Sequence, residues 1–191
     1  MNDGLFLVAR VAADSIGETL EWLGSDELPF QPMDPLDFVG SAEVVAVYDL
    51  YRSRYLRLDA RLSIRSPEAL LEYNRWVIVV DRRGSVLAFS CFKTTQHGLK
   101  LGLTASTDEV EGKAAVKSIL RLGFNVLGVY GEVSEGVERV VSGRVPEVPP
   151  AVAGRVLGKA VEPHRDGRHY TRDISNVGPK TKLLVGKPVL E

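Results

Sequence analysis

Residues 99–133, LKLGLTASTDEVEGKAAVKSILRLGFNVLGVYGEV, constrain this chain more than any other stretch. They read as a strand, an acidic turn with one glycine, an amphipathic helix and a second strand. Val116, Ile119, Leu120, Gly123, Phe124 and Leu127 recur at helical spacing and form the apolar side. Lys113, Lys117 and Arg121 lie on the other side. Ser106 with Glu109, or Asp108 with Glu111, has the spacing of a capping box, and Gly128 is the C-terminal stop. A strand–helix–strand crossover places its two strands parallel in one sheet.

The preceding residues supply antiparallel partners for that sheet. WVIVV and SVLAFSCFKTT flank the turn Asp81-Arg82-Arg83-Gly84, and Gln96-His97-Gly98 leads into LKLGLTAS. The result is a three-stranded meander from Trp76 to Ser106. Its first two strands are apolar on both faces, so they belong at the centre with each side covered. Ser66-Pro67-Glu68 is a helix start. After the crossover, 135–144 gives no clear pattern, VPEVPP is a linker and AVAGRVLGKAV a helix. GRHYTRDIS and TKLLVG are two closing strands.

Gly4–Ala12 reads as a first strand, and Asp14 or Ser15 caps a short helix ending before Gly24. SDELPFQPMDPLDF carries Pro29, Pro32 and Pro35 and is expected to be an extended loop. Ser41–Arg65 reads as one long helix with Ser41 as N-cap, because Val44, Val47, Tyr48, Tyr51, Tyr55, Leu58 and Leu62 recur at helical spacing. Its end, RLDARLSI, also alternates as a strand would. The chain of 191 residues is expected to form one domain, with a helical and loop part at 1–65 and a core at 66–188.

Composition excludes several classes. No apolar run approaches the roughly 20 residues of a membrane span. The acidic N-terminus lacks the positive cluster of a secretory signal. One cysteine, Cys91, forms no internal disulfide and no thiol metal cluster, so a reducing, cytoplasmic setting is expected. Net charge is -1, but it is unevenly spread: residues 1–50 hold ten acidic residues and one basic, Arg10, whereas 51–110 hold ten basic and six acidic. On the long helix Arg54, Arg57, Arg61 and Arg65 recur at three and four as a basic stripe. That stripe is either a docking face for phosphates, including those of nucleic acid, or a solvated partner of the acidic segment. His164, Arg165, Asp166, Arg168 and His169 are too few and wrongly spaced for a metal site, so no metal is expected. They read as a basic hairpin entry able to contact an anion through Arg165 and Arg168.

The order strand, helices, three meander strands, helix, strand, helix, two strands resembles the GNAT family of acetyl-CoA-dependent N-acetyltransferases over about residues 66–188. The resemblance implies an α/β (α+β) fold: a mixed sheet of about six or seven strands, meander first, then the parallel unit with splayed central strands. The family pattern Gln/Arg-x-x-Gly-x-Gly/Ala is matched in part by Glu109-Val110-Glu111-Gly112-Lys113-Ala114, whose first position departs from it. Acetyl-CoA or another acyl-CoA would then lie between LKLGLTAS and VYGEV, against Leu101, Leu103, Gly112, Lys113 and Ala114. Free N–H groups and the helix dipole would hold its pyrophosphate. The family also implies a tyrosine acid toward the thiolate, for which Tyr170 is the nearest candidate, and a base for the amine, assigned to Glu132. The acceptor would be an amine on a small molecule or macromolecule. The tail HYTRDISNVGPKTKLLVGKP resembles bacteriophage-carried members, including the Mom-type group that modifies DNA bases. The acids around Gly112, and the lack of the family's asparagine in VYGEVSEGVERV, leave an alternative: a non-catalytic GNAT-like binding or virion-associated protein without the cofactor site.

Overall fold

The computed structural model describes residues 5–16, 30–57, 64–95, 98–125, 130–134, 162–163, 170–171 and 181–185. Nine strands occur in them: β1 (Leu7–Ala12), β2 (Gln31–Pro32), β3 (Arg75–Val80), β4 (Val86–Thr95), β5 (Gly98–Ser106), β6 (Tyr130–Ser134), β7 (Glu162–Pro163), β8 (Tyr170–Thr171) and β9 (Thr181–Val185). The helices are α1 (Pro35–Val39), α2 (Ala42–Arg57) and α3 (Val110–Asn125), with 3₁₀ segments at Ala13–Ser15 and Pro67–Glu72. Seven strands form one mixed sheet in the order β2-β1-β3-β4-β5-β6-β9, and β7 and β8 form a separate ribbon. In the large sheet β1 with β3 and β5 with β6 are parallel pairs; the other neighbours are antiparallel. The meander β3-β4-β5 and the crossover β5-α3-β6 therefore stand as the residue pattern requires.

Both faces of the sheet are covered, which is why β3 and β4 are apolar at successive positions. On one face Leu7, Ala9 and Val11 of β1, Val77 and Val79 of β3, and Ala88 and Phe92 of β4 pack with Ala115, Ile119 and Leu120 of α3. On the other, Val8, Trp76, Ile78, Phe89 and Cys91 pack with Phe38 of α1, Val44, Val47 and Tyr51 of α2, and Leu70. The β3–β4 turn is built by Asp81. Its Oδ1 accepts the Arg83 and Ser85 backbone N–H groups at 2.8 and 2.9 Å, and Gly84 supplies the positive φ of 83°.

The N-terminal quarter departs from the pattern reading. Within the expected extended loop, Gln31–Pro32 pairs with β1 as an edge strand, a place where proline's missing donor costs nothing. Pro35 opens α1, and the Asp34 side chain caps it by accepting the Leu36 N–H at 2.8 Å. The long helix is shorter than expected. Ser41 Oγ accepts the Val44 N–H at 3.3 Å; α2 is described to Arg57, and Ile64 and Arg65 are not helical. Residues 58–63, with Leu58, Arg61 and Leu62, lie outside the described residues. The buried Ile64 N–H instead donates to the Tyr51 hydroxyl at 3.2 Å. The helix expected after Ser66 is a 3₁₀ segment, Pro67–Glu72, whereas the 3₁₀ turn Ala13–Ser15 leads into the helical Ile16 and the rest of the short helix expected there, 17–23, lies outside the described residues. The acidic quarter pairs partly with itself, since Arg10 Nε reaches both Glu43 carboxylate oxygens at 2.9 Å. Asp14 also pairs with Arg82 at 3.7 Å, an exposed contact of small worth.

One irregularity sets the geometry of the centre. The β4–β5 register runs from Ser90↔Thr104 to Phe92↔Leu101, so Gly102 and Leu103 together oppose Cys91. The extra residue reverses the side-chain alternation along β5. Leu99 and Leu101 pack on the α3 face, whereas Leu103 and Ala105 pack on the α2 face.

Candidate functional site

Among the described residues, the bulged strand also borders the seam of the sheet with the fewest register pairs. β5 is laddered to β4 from Thr95↔Gly98 to Ala88↔Ser106, and β6 to β9 from Tyr130↔Val185 to Ser134↔Thr181. Among the described residues, β5 and β6 are joined by one register pair, Lys100↔Tyr130, near the start of both strands. Beyond it lie Leu101–Ser106 on one side and Gly131–Ser134 on the other. The chain leaves β5 at that end and enters α3 after three residues, so the N-terminus of α3 stands at the carboxyl end of β5. In open α/β sheets that is where ligands bind.

The first turn of α3 starts later than either capping box allows, at Val110, and the Glu109 carbonyl accepts the Lys113 N–H at 3.1 Å. The N–H groups of Val110, Glu111 and Gly112 are therefore first-turn donors with no partner inside the helix. Gly112 is buried, and its glycine identity has a packing cause: a Cβ there would lie 2.7 Å from the Leu87 carbonyl oxygen and 2.9 Å from Thr107 Oγ1. The Thr107 N–H donates to that same Leu87 carbonyl at 2.8 Å, while its Oγ1 is buried with no hydrogen-bond partner. Ala114, Glu109 and Glu111 are exposed. Lys113 is drawn to Asp108 at 3.8 Å.

The expected site residues are thus divided. Gly112, Lys113 and Ala114 share the turn at the seam's open end, with the carboxyl end of β5. Leu101 and Leu103 are both buried but face opposite sides of the sheet, so their side chains cannot line one notch together. Glu132 is the central residue of β6, in register with Leu183 of β9. Tyr170 is not on the large sheet: it pairs with Pro163 in the β7–β8 ribbon, which lies against β9. Arg54 is exposed on α2, and Arg57 is the last described residue of that helix. Arg65 leaves the stripe because it is not helical. Arg61, His97, His164, Arg165, Asp166, Arg168 and His169 lie outside the described residues, as does the expected helix AVAGRVLGKAV.

The residue pattern did not single out the polar groups around the bulge. On the α3 face Ser90 Oγ and Thr104 Oγ1 are 2.8 Å apart, and Ser90 is fully buried. On the α2 face Cys91 Sγ accepts the Leu103 N–H at 3.2 Å. The Tyr73 ring fills the space over Gly102, where a Cβ would come within 2.3 Å of it. An isolated glycine inside a strand pattern is the signal that locates such a bulge. Burial pushes the Tyr55 and Tyr73 phenols and the Cys91 thiol well above their ordinary values. Cys91 adds to the shift at both tyrosines, and the Leu103 N–H partly opposes it at the thiol.

A raised folded-state value for an acid favours folding while the group stays protonated. That contribution is complete below the unfolded thiol value of about 8.5 and is lost as pH rises above it. Stability should therefore fall at alkaline pH by up to about 1.4 kcal/mol per unit for each such group that ionises only when unfolded. Urea titrations at pH 7 to 10 measure this, and Cys91→Ala should remove the earliest part of the slope. In the native state the Cys91 thiol should resist alkylation until the protein unfolds.

Among the described residues, no helix is long and apolar enough to cross a membrane, and no three His, Cys, Asp or Glu side chains gather in a group that could hold a metal ion. Comparison of the sequence with protein-family models and with curated proteins finds no match.

Proposed function

We propose that this protein is an acyl-CoA-dependent N-acyltransferase of GNAT-like architecture, working in the cytoplasm. The observation that carries the reading is the β5–β6 seam, joined at Lys100↔Tyr130 and flanked beyond it by the first turn of α3. The fit of acyl-CoA rests on the partnerless Thr107 hydroxyl and on the first-turn N–H groups of α3 that have no acceptor inside the helix. Val110, Glu111 and Gly112 would hold the pyrophosphate through those groups. Acetyl-CoA supplies an activated thioester. With acyl-CoA bound, Glu132 would take the proton of the attacking amine and Tyr170, the tyrosine the resemblance implies, would return one to the departing thiolate. The exposed Arg54 supports an acceptor that carries phosphate, such as a DNA base in the manner of the phage Mom-type group.

A second reading, a binding or virion-associated protein without the cofactor site, is favoured by two observations. Glu109 and Glu111 are exposed where phosphates would lie, and Gly112 already has a packing reason to be glycine. One experiment divides the two. Acetyl-CoA about 100-fold above its Kd should raise the melting temperature by roughly 5–10 °C. With an amine acceptor, a polyamine or DNA, the wild type should release free thiol, and Glu132→Gln should keep the thermal shift while losing the release. No shift at millimolar acetyl-CoA overturns the acyltransferase in favour of the second reading.

A further inference from the structure

A lysine pair lies at the closed end of the seam. Lys93 of β4 and Lys100 of β5 are direct cross-strand partners. Both point to the α2 face, because Cys91 precedes Lys93 at the same parity and Leu99 and Leu101 flank Lys100 on the α3 face. Directly opposed Cβ atoms are about 5 Å apart, and like charges placed so repel. Glu72 reaches only Lys93, at 3.6 Å, with both side chains about half exposed. Lys100 is half-buried and has no ion pair or hydrogen bond among the described residues. Next to it on the same face, the Tyr73 ring stands on Gly102 and walls the spot on the side of the bulge.

We infer that Lys93 and Lys100, beside Tyr73, form a binding site for a phosphate group. A phosphate accepts from both ammonium groups at once and turns their repulsion into two charge-assisted hydrogen bonds. Glu72 leaves one net positive charge for it. The site is separate from the first turn of α3. Ser106 is six residue steps along β5 from Lys100, about 20 Å of extended chain, so no single phosphate serves both places. The inference holds whether or not the protein transfers acyl groups.

The test is thermal melting in potassium phosphate against potassium chloride at equal ionic strength. The wild type should melt about 2–4 °C higher in phosphate. Lys100→Gln should melt higher than the wild type in chloride, through relief of the repulsion, and should lose the phosphate increment. Lys93→Gln should lose it as well. AMP at matched ionic strength names the source: a larger increment than phosphate gives points to a nucleotide, an equal one to free phosphate. Equal melting of the wild type in phosphate and chloride overturns the site. So does an increment that persists in Lys100→Gln, since it would then come from general exclusion of phosphate from the surface.

Discussion

Trp76→Ala should lower the stability of this protein by about 3–5 kcal/mol, the largest effect expected of a single substitution among the described residues. Trp76 is fully buried on β3. Its ring packs against Phe38 of α1 at 5.1 Å and Phe89 of β4 at 5.7 Å between centroids. Its Nε1–H donates to the Tyr73 carbonyl at 2.9 Å. The indole therefore binds the helical layer to the sheet and also orients the end of the 3₁₀ segment that carries Tyr73 over the bulge. Truncation leaves a cavity and an unpaired carbonyl together. Trp76→Phe separates the two losses, since it keeps much of the ring volume and removes only the donor; it should cost about 1–3 kcal/mol. Urea unfolding gives both values. A loss under 1 kcal/mol for Trp76→Ala would mean that the aromatic stack does not organise this layer.

Gly112→Ala is the second. Alanine is the better helix former by as much as about 1 kcal/mol, so propensity alone predicts stabilisation. The opposite is expected, a loss of about 1–3 kcal/mol, because the added Cβ meets the Leu87 carbonyl at 2.7 Å. That oxygen belongs to the backbone of β4 and is held by the Thr107 N–H, so no side-chain rotation clears it. The first turn of α3 has to lift from the sheet. Ala114→Gly is the control: Ala114 is exposed in the same turn, and its change should cost only the helix-propensity difference of about 1 kcal/mol. Measured without ligand, the pair separates a packing role for Gly112 from any role in phosphate binding. If Gly112→Ala is neutral in stability but weakens acetyl-CoA binding, the glycine serves the ligand.

Much of the fold was legible in residue order, because its signals are local. The Asp81–Gly84 turn between two apolar runs is a hairpin wherever it occurs. The helical period of 110–120 between two strands admits only a parallel crossover. The described parts of the faces of α2 and α3 followed from spacing in the same way, with Val44, Val47, Tyr51, Ile119 and Leu120 buried. The Pro-rich segment was misjudged because proline was weighed as a breaker. Pro32 stands on an edge that needs no donor from it, and Pro35 stands at a helix start where its missing N–H costs nothing.

The candidate site was legible only as a location. The turn Glu109–Ala114 is at the seam, as its place between a strand and a helix dictates. What its residues do there depends on partners distant in sequence: Leu87 against Gly112, Tyr73 against Gly102, Lys93 opposite Lys100. The alternating leucines of LKLGLTAS look like one apolar face. Only the pairing with β4 inserts the extra residue that sends Leu101 and Leu103 to opposite layers. Periodicity along the chain therefore determined β3, β4, β5, β6, α2 and α3 and their order. Tertiary pairing decided which face each side chain of β5 occupies, because the register between two strands is a property of both and is written in neither alone.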